Sequence, residues 1–266
     1  MNASNVSFSW REPGIFTRFD TAVCLHGHTM HSEECLSFLP RCFSRIPGAS
    51  HVVDAYRRGA VDFARAFWTP PLTPASALRL EREQIAGVGL RPIVSLTDHD
   101  NVEAGMTLQV AADWKQTPIS VEWTVPYRRS IIHLGVHNLP PATARTWLAD
   151  MSMYTLFGGE ELLPGMLAEL ASIPGVLIVL NHPVWIEEGV EQADHLPAVL
   201  HFVRGCGAWL HAFELNDTRR WNENREVVAL ADEWSKPVIS GGDRHAGEPA
   251  ACLNLTSARS FSEFAD

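Results

Sequence analysis

Lysine is nearly missing from this chain: Lys115 and Lys236 are the two it carries in 266 residues. With 31 acidic against 21 basic side chains the formal charge is −10, so no extended basic surface is available to attract a long nucleic-acid duplex. A local pocket for one small anion stays compatible with this balance. The five cysteines (Cys24, Cys35, Cys42, Cys206 and Cys252) are odd in number and form no Cys-x-x-Cys pair, which disfavours a disulfide framework or a thiolate zinc knuckle. A reducing cytoplasm is the compartment expected. No stretch approaches the ~18 uninterrupted apolar residues of a membrane span. The opening MNASNVSFSWREPG also lacks the basic segment and apolar run of an export signal.

Histidine is what the chain has instead, twelve of them, in a sequence that is 46% hydrophobic and long enough for one α/β barrel or two small domains. Several short apolar runs end in polar clusters. Phe19 to Leu25 precedes His26, Pro92 to Leu96 precedes Asp98-His99, and Val176 to Leu180 precedes Asn181-His182. Ala208 to Phe213 precedes Glu214 and Asn216, and Pro237 to Ile239 precedes Asp243-Arg244-His245. Between them lie helical patterns, one opened by Thr73-Pro74 and stopped at Gly87, another over Asn222 to Trp234. Strands alternating with helices predict a parallel sheet, with a site at the carboxyl ends of its strands. The architecture expected is one barrel-like α/β domain over residues 1–266. Ile119 to Trp123 and Ser130 to Val136 suit a hairpin or adjacent strands, which would bring Glu122 near His133. Residues 140–165 suit a small helical insertion, and Phe261 to Asp266 reads as the beginning of a helix.

The strongest local signal is Leu25-His26-Gly27-His28-Thr29. A His-x-His pair leaving a strand puts both imidazoles on one side of the sheet, where both can grip one ion. Five further histidines, His51, His137, His195, His201 and His211, match no pattern and read as ordinary core or surface residues.

Taken with Ser32-Glu33 and then Leu96-Thr97-Asp98-His99-Asp100, the His-x-His pair resembles the first two motifs of the polymerase-and-histidinol-phosphatase (PHP) family. Glu122, His133, Asn181-His182-Pro183, Phe213-Glu214-Leu215-Asn216 and Gly242-Asp243-Arg244-His245 follow in the family's order, so the resemblance runs from Asp20 to Thr256. It implies a distorted (β/α)7 TIM-like barrel with two or three divalent ions (manganese, zinc or iron) at the C-terminal ends of the strands. It assigns His26, His28, Glu122 and Asp243 to one metal, with Glu122 bridging to a second held by His133 and His182. Glu33, His99 and His245 would take a third. Glu33 departs from the family's usual aspartate or histidine, and His31 is a rival ligand nearby. Arg244 stands where relatives often carry a small or aromatic residue.

The activity implied is a metal-dependent phosphoesterase acting on a small phosphomonoester or nucleotide through a metal-activated hydroxide, since cations lower the pKa of bound water. Arg244, or one of Arg128, Arg129, Arg219 and Arg220, is expected to face the phosphate. Asp98 is placed either as a general acid or as a group orienting a ligand histidine. Two rivals remain. An amidohydrolase-type enzyme would use the same His-x-His pair with a bridging lysine, for which neither lysine is suitably placed. A non-catalytic PHP scaffold would be expected to have lost ligands.

Overall fold

The computed structural model describes residues 6–9, 11–12, 14–36, 48, 50–60, 62–187 and 189–266; Cys42 lies outside the described residues. In chain order the elements are β1 (Thr21–Cys24), β2 (Glu34–Cys35), α1 (Ser50–Arg57), β3 (Phe67–Trp68), α2 (Pro74–Gly87) and β4 (Arg91–Val94). There follow α3 (Glu103–Leu108), β5 (Val121–Tyr127), β6 (Ser130–His137), α4 (Ala144–Phe157), α5 (Leu163–Ala171) and β7 (Leu177–Asn181). The last are α6 (Gln192–Cys206), β8 (Ala212–Asn216), α7 (Trp221–Glu233), β9 (Val238–Gly241), β10 (Asn254–Thr256) and α8 (Phe261–Ala265). None of the helices among the described residues is long and apolar enough to cross a membrane.

Local chemistry sets these boundaries. Thr73 caps α2 by accepting from the Ser76 amide at 3.2 Å, and Pro74 occupies the first helical turn, where its missing N–H costs nothing. β7 reads Leu-Ile-Val-Leu-Asn and is buried throughout. Its alternation explains why: Ile178 and Leu180 enter the main core with Trp123, Leu134, Leu167 and Phe202, while Leu177 and Val179 meet Val23, Leu25 and Phe261 on the other face. β1 and β7 thus face each other across a thin apolar interior.

The strands form a three-stranded sheet in the order β10-β1-β4, a β2-β3 ribbon and a five-stranded sheet β5-β6-β7-β8-β9. β1 and β4 are parallel, as are β7, β8 and β9. β5 and β6 form an antiparallel hairpin, and β6 is antiparallel to β7. Single parallel bridges, Gly27 with Arg244 and His99 with Glu122, link the two larger sheets, and no closed hydrogen-bonded barrel forms among the described residues. The mixed α/β class expected from the sequence stands; closure into the distorted (β/α)7 barrel is not seen in the strand pairing of the described residues. One cause lies at the seams. His26 (φ 61), Asp100 (φ 45) and Asp243 (φ 45), each beside one of these bridges, have positive φ, a backbone that leaves the extended conformation a ladder needs.

Candidate metal centre

The parallel strands deliver polar residues to one end of the molecule. His26 and His28 follow β1, His99 follows β4, Asn181 ends β7 with His182 after it, and Asp243 and His245 follow β9. Glu122 reaches the same place differently. It is the second residue of β5 and arrives beside His99 through the bridge between them.

Its carboxylate is the hub. Glu122 Oε2 lies 3.0 Å from His26 Nε2, 3.4 Å from His28 Nε2 and 3.1 Å from His99 Nδ1, and Oε1 lies 3.1 Å from His182 Nε2. Asp243 Oδ1 stands 3.6 Å from His26 Nε2 and 3.5 Å from His28 Nε2. Glu34 Oε1 stands 3.2 Å from His99 Nε2 and 3.0 Å from His245 Nε2. Three ligand groups result: His26 with His28 and Asp243, His26 with Glu122 and His182, and His28 with Glu34, His99 and His245. In each, the donor atoms lie within 4.8 Å of one another.

Surrounding residues fix which atoms face inward. Glu214 Oε1 holds His26 Nδ1 at 2.5 Å, and its Oε2 accepts from the His182 amide at 2.9 Å. Gly241 makes room for that carboxylate, because a Cβ there would overlap it. Ser32 Oγ donates to Asp98 at 3.0 Å and so receives the proton of His28 Nδ1 at 2.9 Å, leaving Nε2 with its lone pair aimed at the centre. Asn216 and Arg219 donate to Asp243 Oδ2 at 3.1 and 3.0 Å, leaving Oδ1 toward the histidines.

This donor set fits a divalent cation. His26 Nε2, His28 Nε2 and Glu122 Oε2 are buried and have no hydrogen-bond partner despite their mutual approach. Buried polar atoms normally find partners, and unshared lone pairs converging on one point are what a cation satisfies. The titration behaviour agrees. Burial alone would lower His26 and His99, but the carboxylates around them outweigh it, holding His26 well above the usual histidine value and His99 at about 10. Glu122 and Asp243 are held well below the carboxylate range, since the imidazoles around them overcome burial. The site thus demands positive charge.

Two sequence expectations need correction. Glu33 is exposed, and Glu34 takes the place expected for it at His99 and His245. Glu34 opens the two-residue strand β2 and pairs with Trp68, while Glu33 lies just before the strand. Arg244 does not face the centre: it is 5% exposed, and its Nε donates to Glu81 at 2.6 Å. Asp98 is fully buried, with its oxygens accepting from the Thr29 amide, the Thr29 hydroxyl and Ser32, and through Ser32 it stands behind His28 Nδ1. His133 stands alongside, its ring centroid 5.1 Å from His182 and 5.7 Å from His99, outside the three groups. Burial pushes its pKa down to about 3, so it stays neutral.

Of the remaining arginines, Arg128 and Arg129 sit exposed at the tip of the β5-β6 hairpin, ~17 Å along β5 from Glu122 at about 3.4 Å per residue. Arg220 is exposed at the start of α7. Arg219 alone of these four holds a candidate ligand, Asp243, and its guanidinium carbon lies 3.6 Å from the ring centroid of Trp185. Trp185 carried no functional signal in the sequence, yet it lines a cleft beside the centre with Ile132, His133 and His182. The histidines read as ordinary are hydrogen-bonded: His137 to Ser95, His195 to Ser130, His201 to Tyr127 and His211 to the Ile178 amide.

No family model and no curated protein matches the sequence. Among solved structures, the chain is similar to an amidohydrolase from Chromobacterium violaceum, solved with bound sulfate and without metal. The identity is 14%, with a TM-score of 0.51, covering 88% of this chain and 91% of that one. It is also similar to a protein described as a metal-dependent phosphoesterase from Bifidobacterium adolescentis, at 16% identity and a TM-score of 0.44, covering 71% and 88%. The first likeness shows a shared α/β fold.

Proposed function

We propose that this chain is a metal-dependent hydrolase of the PHP type that cleaves a phosphate ester, with a small phosphomonoester or nucleotide as substrate. The observation that carries the reading is the convergence of three buried, unpartnered ligand atoms, from His26, His28 and Glu122, beside Asp243 and His182. His26, His28 and Asp243 would hold one ion and His26, Glu122 and His182 an adjoining one. His28, Glu34, His99 and His245 would hold a third, with His133 at the margin. Manganese, zinc or iron bound there supplies a lowered water pKa and charge neutralisation at phosphorus.

The chain's own contribution is positioning. Glu214 and Ser32 fix the histidine rings from behind, so that Nε2 of His26 and of His28 faces the centre. Arg219, anchored on Asp243 and on the Trp185 face, is the cation best placed to donate to a nonbridging phosphate oxygen. The cleft lined by Trp185 and Ile132 gives the organic part of the ester an apolar wall. A lysine-bridged amidohydrolase centre finds no support: Lys236 donates to the Leu210 carbonyl at 2.6 Å, and Lys115 is exposed.

The test is hydrolysis of p-nitrophenyl phosphate and its bis-ester by metal-stripped protein, then after manganese, zinc or iron is restored, with bound metal counted in parallel. Metal-restored cleavage is expected, with at least about a hundredfold loss in His28→Ala and Asp243→Asn. Stoichiometric metal with no cleavage of either ester would overturn the phosphoesterase reading. Full activity in either variant would overturn the assigned centre.

A further inference from the structure

Next to the loops that carry the candidate ligands lies a buried ion pair with no part in the reaction outlined above. Glu81, on α2, is 1% exposed and Arg244 is 5% exposed. Two buried charges lose their hydration, and a pair of this kind is often no more stabilising than apolar residues of the same volume. Its connections give it another use. Glu81 Oε1 accepts from Arg244 Nε at 2.6 Å, while Oε2 accepts from the Ala250 amide at 3.1 Å and from the Cys24 thiol at 3.3 Å. Arg244 Nη1 donates to the carbonyls of His28 at 3.3 Å and Ala246 at 3.1 Å. The Arg244 carbonyl accepts from the His28 amide at 2.8 Å. Gly27 belongs to the same arrangement, because a Cβ there would lie 3.0 Å from Arg244 Nη2.

One guanidinium therefore ties together the turn that carries His26 and His28 and the loop that carries Asp243 and His245, and Glu81 fastens both to α2. Arg244 lies between two candidate ligands in sequence and points away from them, so anchoring it inward sets the direction in which Asp243 and His245 are presented. Asp243 also holds a left-handed backbone (φ 45), a conformation that persists only where the surroundings enforce it.

We infer that Glu81 and Arg244 are positioning residues of the metal centre, a buried clamp that presets the β1 and β9 ligand loops before any ion arrives. This rests on the metal-centre reading proposed above. The probe is Mn2+ alone, titrated calorimetrically into metal-stripped protein, with Co2+ absorption as a spectroscopic reading of ligand geometry and melting temperature as the measure of fold. The variants are Glu81→Gln and the double Glu81→Met/Arg244→Met.

Glu81→Gln leaves Arg244 buried without its counter-charge and is expected to lower the melting temperature. The double variant removes both charges, so it keeps the test open should the single one unfold, and it is expected to melt above Glu81→Gln. If the pair positions ligands, the double variant binds Mn2+ about 10- to 100-fold more weakly than the wild type and shifts the Co2+ bands, although its fold is intact. Equal Mn2+ affinity and unchanged Co2+ bands in wild type and double variant would overturn the clamp and leave the metal centre standing. No uptake of Mn2+ by the wild type would overturn both.

Discussion

At the scale of single residues, the adjacent pair Glu33 and Glu34 shows where sequence pattern stops being informative. The β2-β3 ribbon has two residues per strand, too few for any periodicity to announce its register. Glu34 faces His99 and His245, and Glu33 is exposed. Glu33→Gln is therefore expected to retain the wild-type metal content, whereas Glu34→Gln loses one equivalent of the most weakly held ion. Elemental analysis after dialysis against a mild chelator reads both, and the reverse pattern would restore Glu33. The histidines after β1, β4, β7 and β9 were legible because each ends an apolar run. Arg244 was not, because sequence reports that it neighbours Asp243 and His245 but not that it points the other way, to Glu81.

At the scale of elements, the parallel strands and their terminal ligands follow from apolar runs that end in polar clusters. The β5-β6 hairpin also follows, but the position of Glu122 within it does not. Glu122 is the second residue of β5, which runs on to Tyr127 with Pro126 inside it, at the edge of the five-stranded sheet, where a missing N–H is tolerated. Packing between β8 and β9 was equally invisible. Glu214 fits against His26 only because position 241 on β9 has no side chain. Gly241→Ala forces the carboxylate or the strand to shift, and overpacking of this kind costs about 1–3 kcal/mol. Melting temperature should fall, and metal affinity should weaken with it, because Glu214 no longer fixes the His26 ring. A variant with wild-type melting and wild-type metal binding would show that the β8–β9 contact is looser than its geometry.

At the scale of the whole molecule, the centre makes stability depend on pH in a way that metal should reshape. Burial pushes His133 and His137 down to about 3 from 6.5. The unfolded chain then binds more protons than the folded one between about 3 and 6.5, so stability rises with pH across that window, by up to about 1.4 kcal/mol per pH unit for each group. His99 has the opposite sign. Burial would lower it, but Glu122 and Glu34 raise it to about 10, so its contribution is complete below 6.5 and is lost as pH climbs toward 10. The metal-free protein should therefore lose stability on both sides of neutrality, and His137→Gln should flatten the acid limb. A bound cation replaces the proton on His99, because only the neutral imidazole is a ligand. Mn2+ should then abolish the alkaline limb and release protons on binding near pH 7.5, giving a calorimetric enthalpy that varies with the ionisation enthalpy of the buffer. Melting curves from pH 4 to 10 with and without Mn2+, and titrations in two buffers, test this together. A buffer-independent enthalpy would mean that His99 is already neutral in the metal-free protein, and that the carboxylates around it do not hold the charge their placement requires.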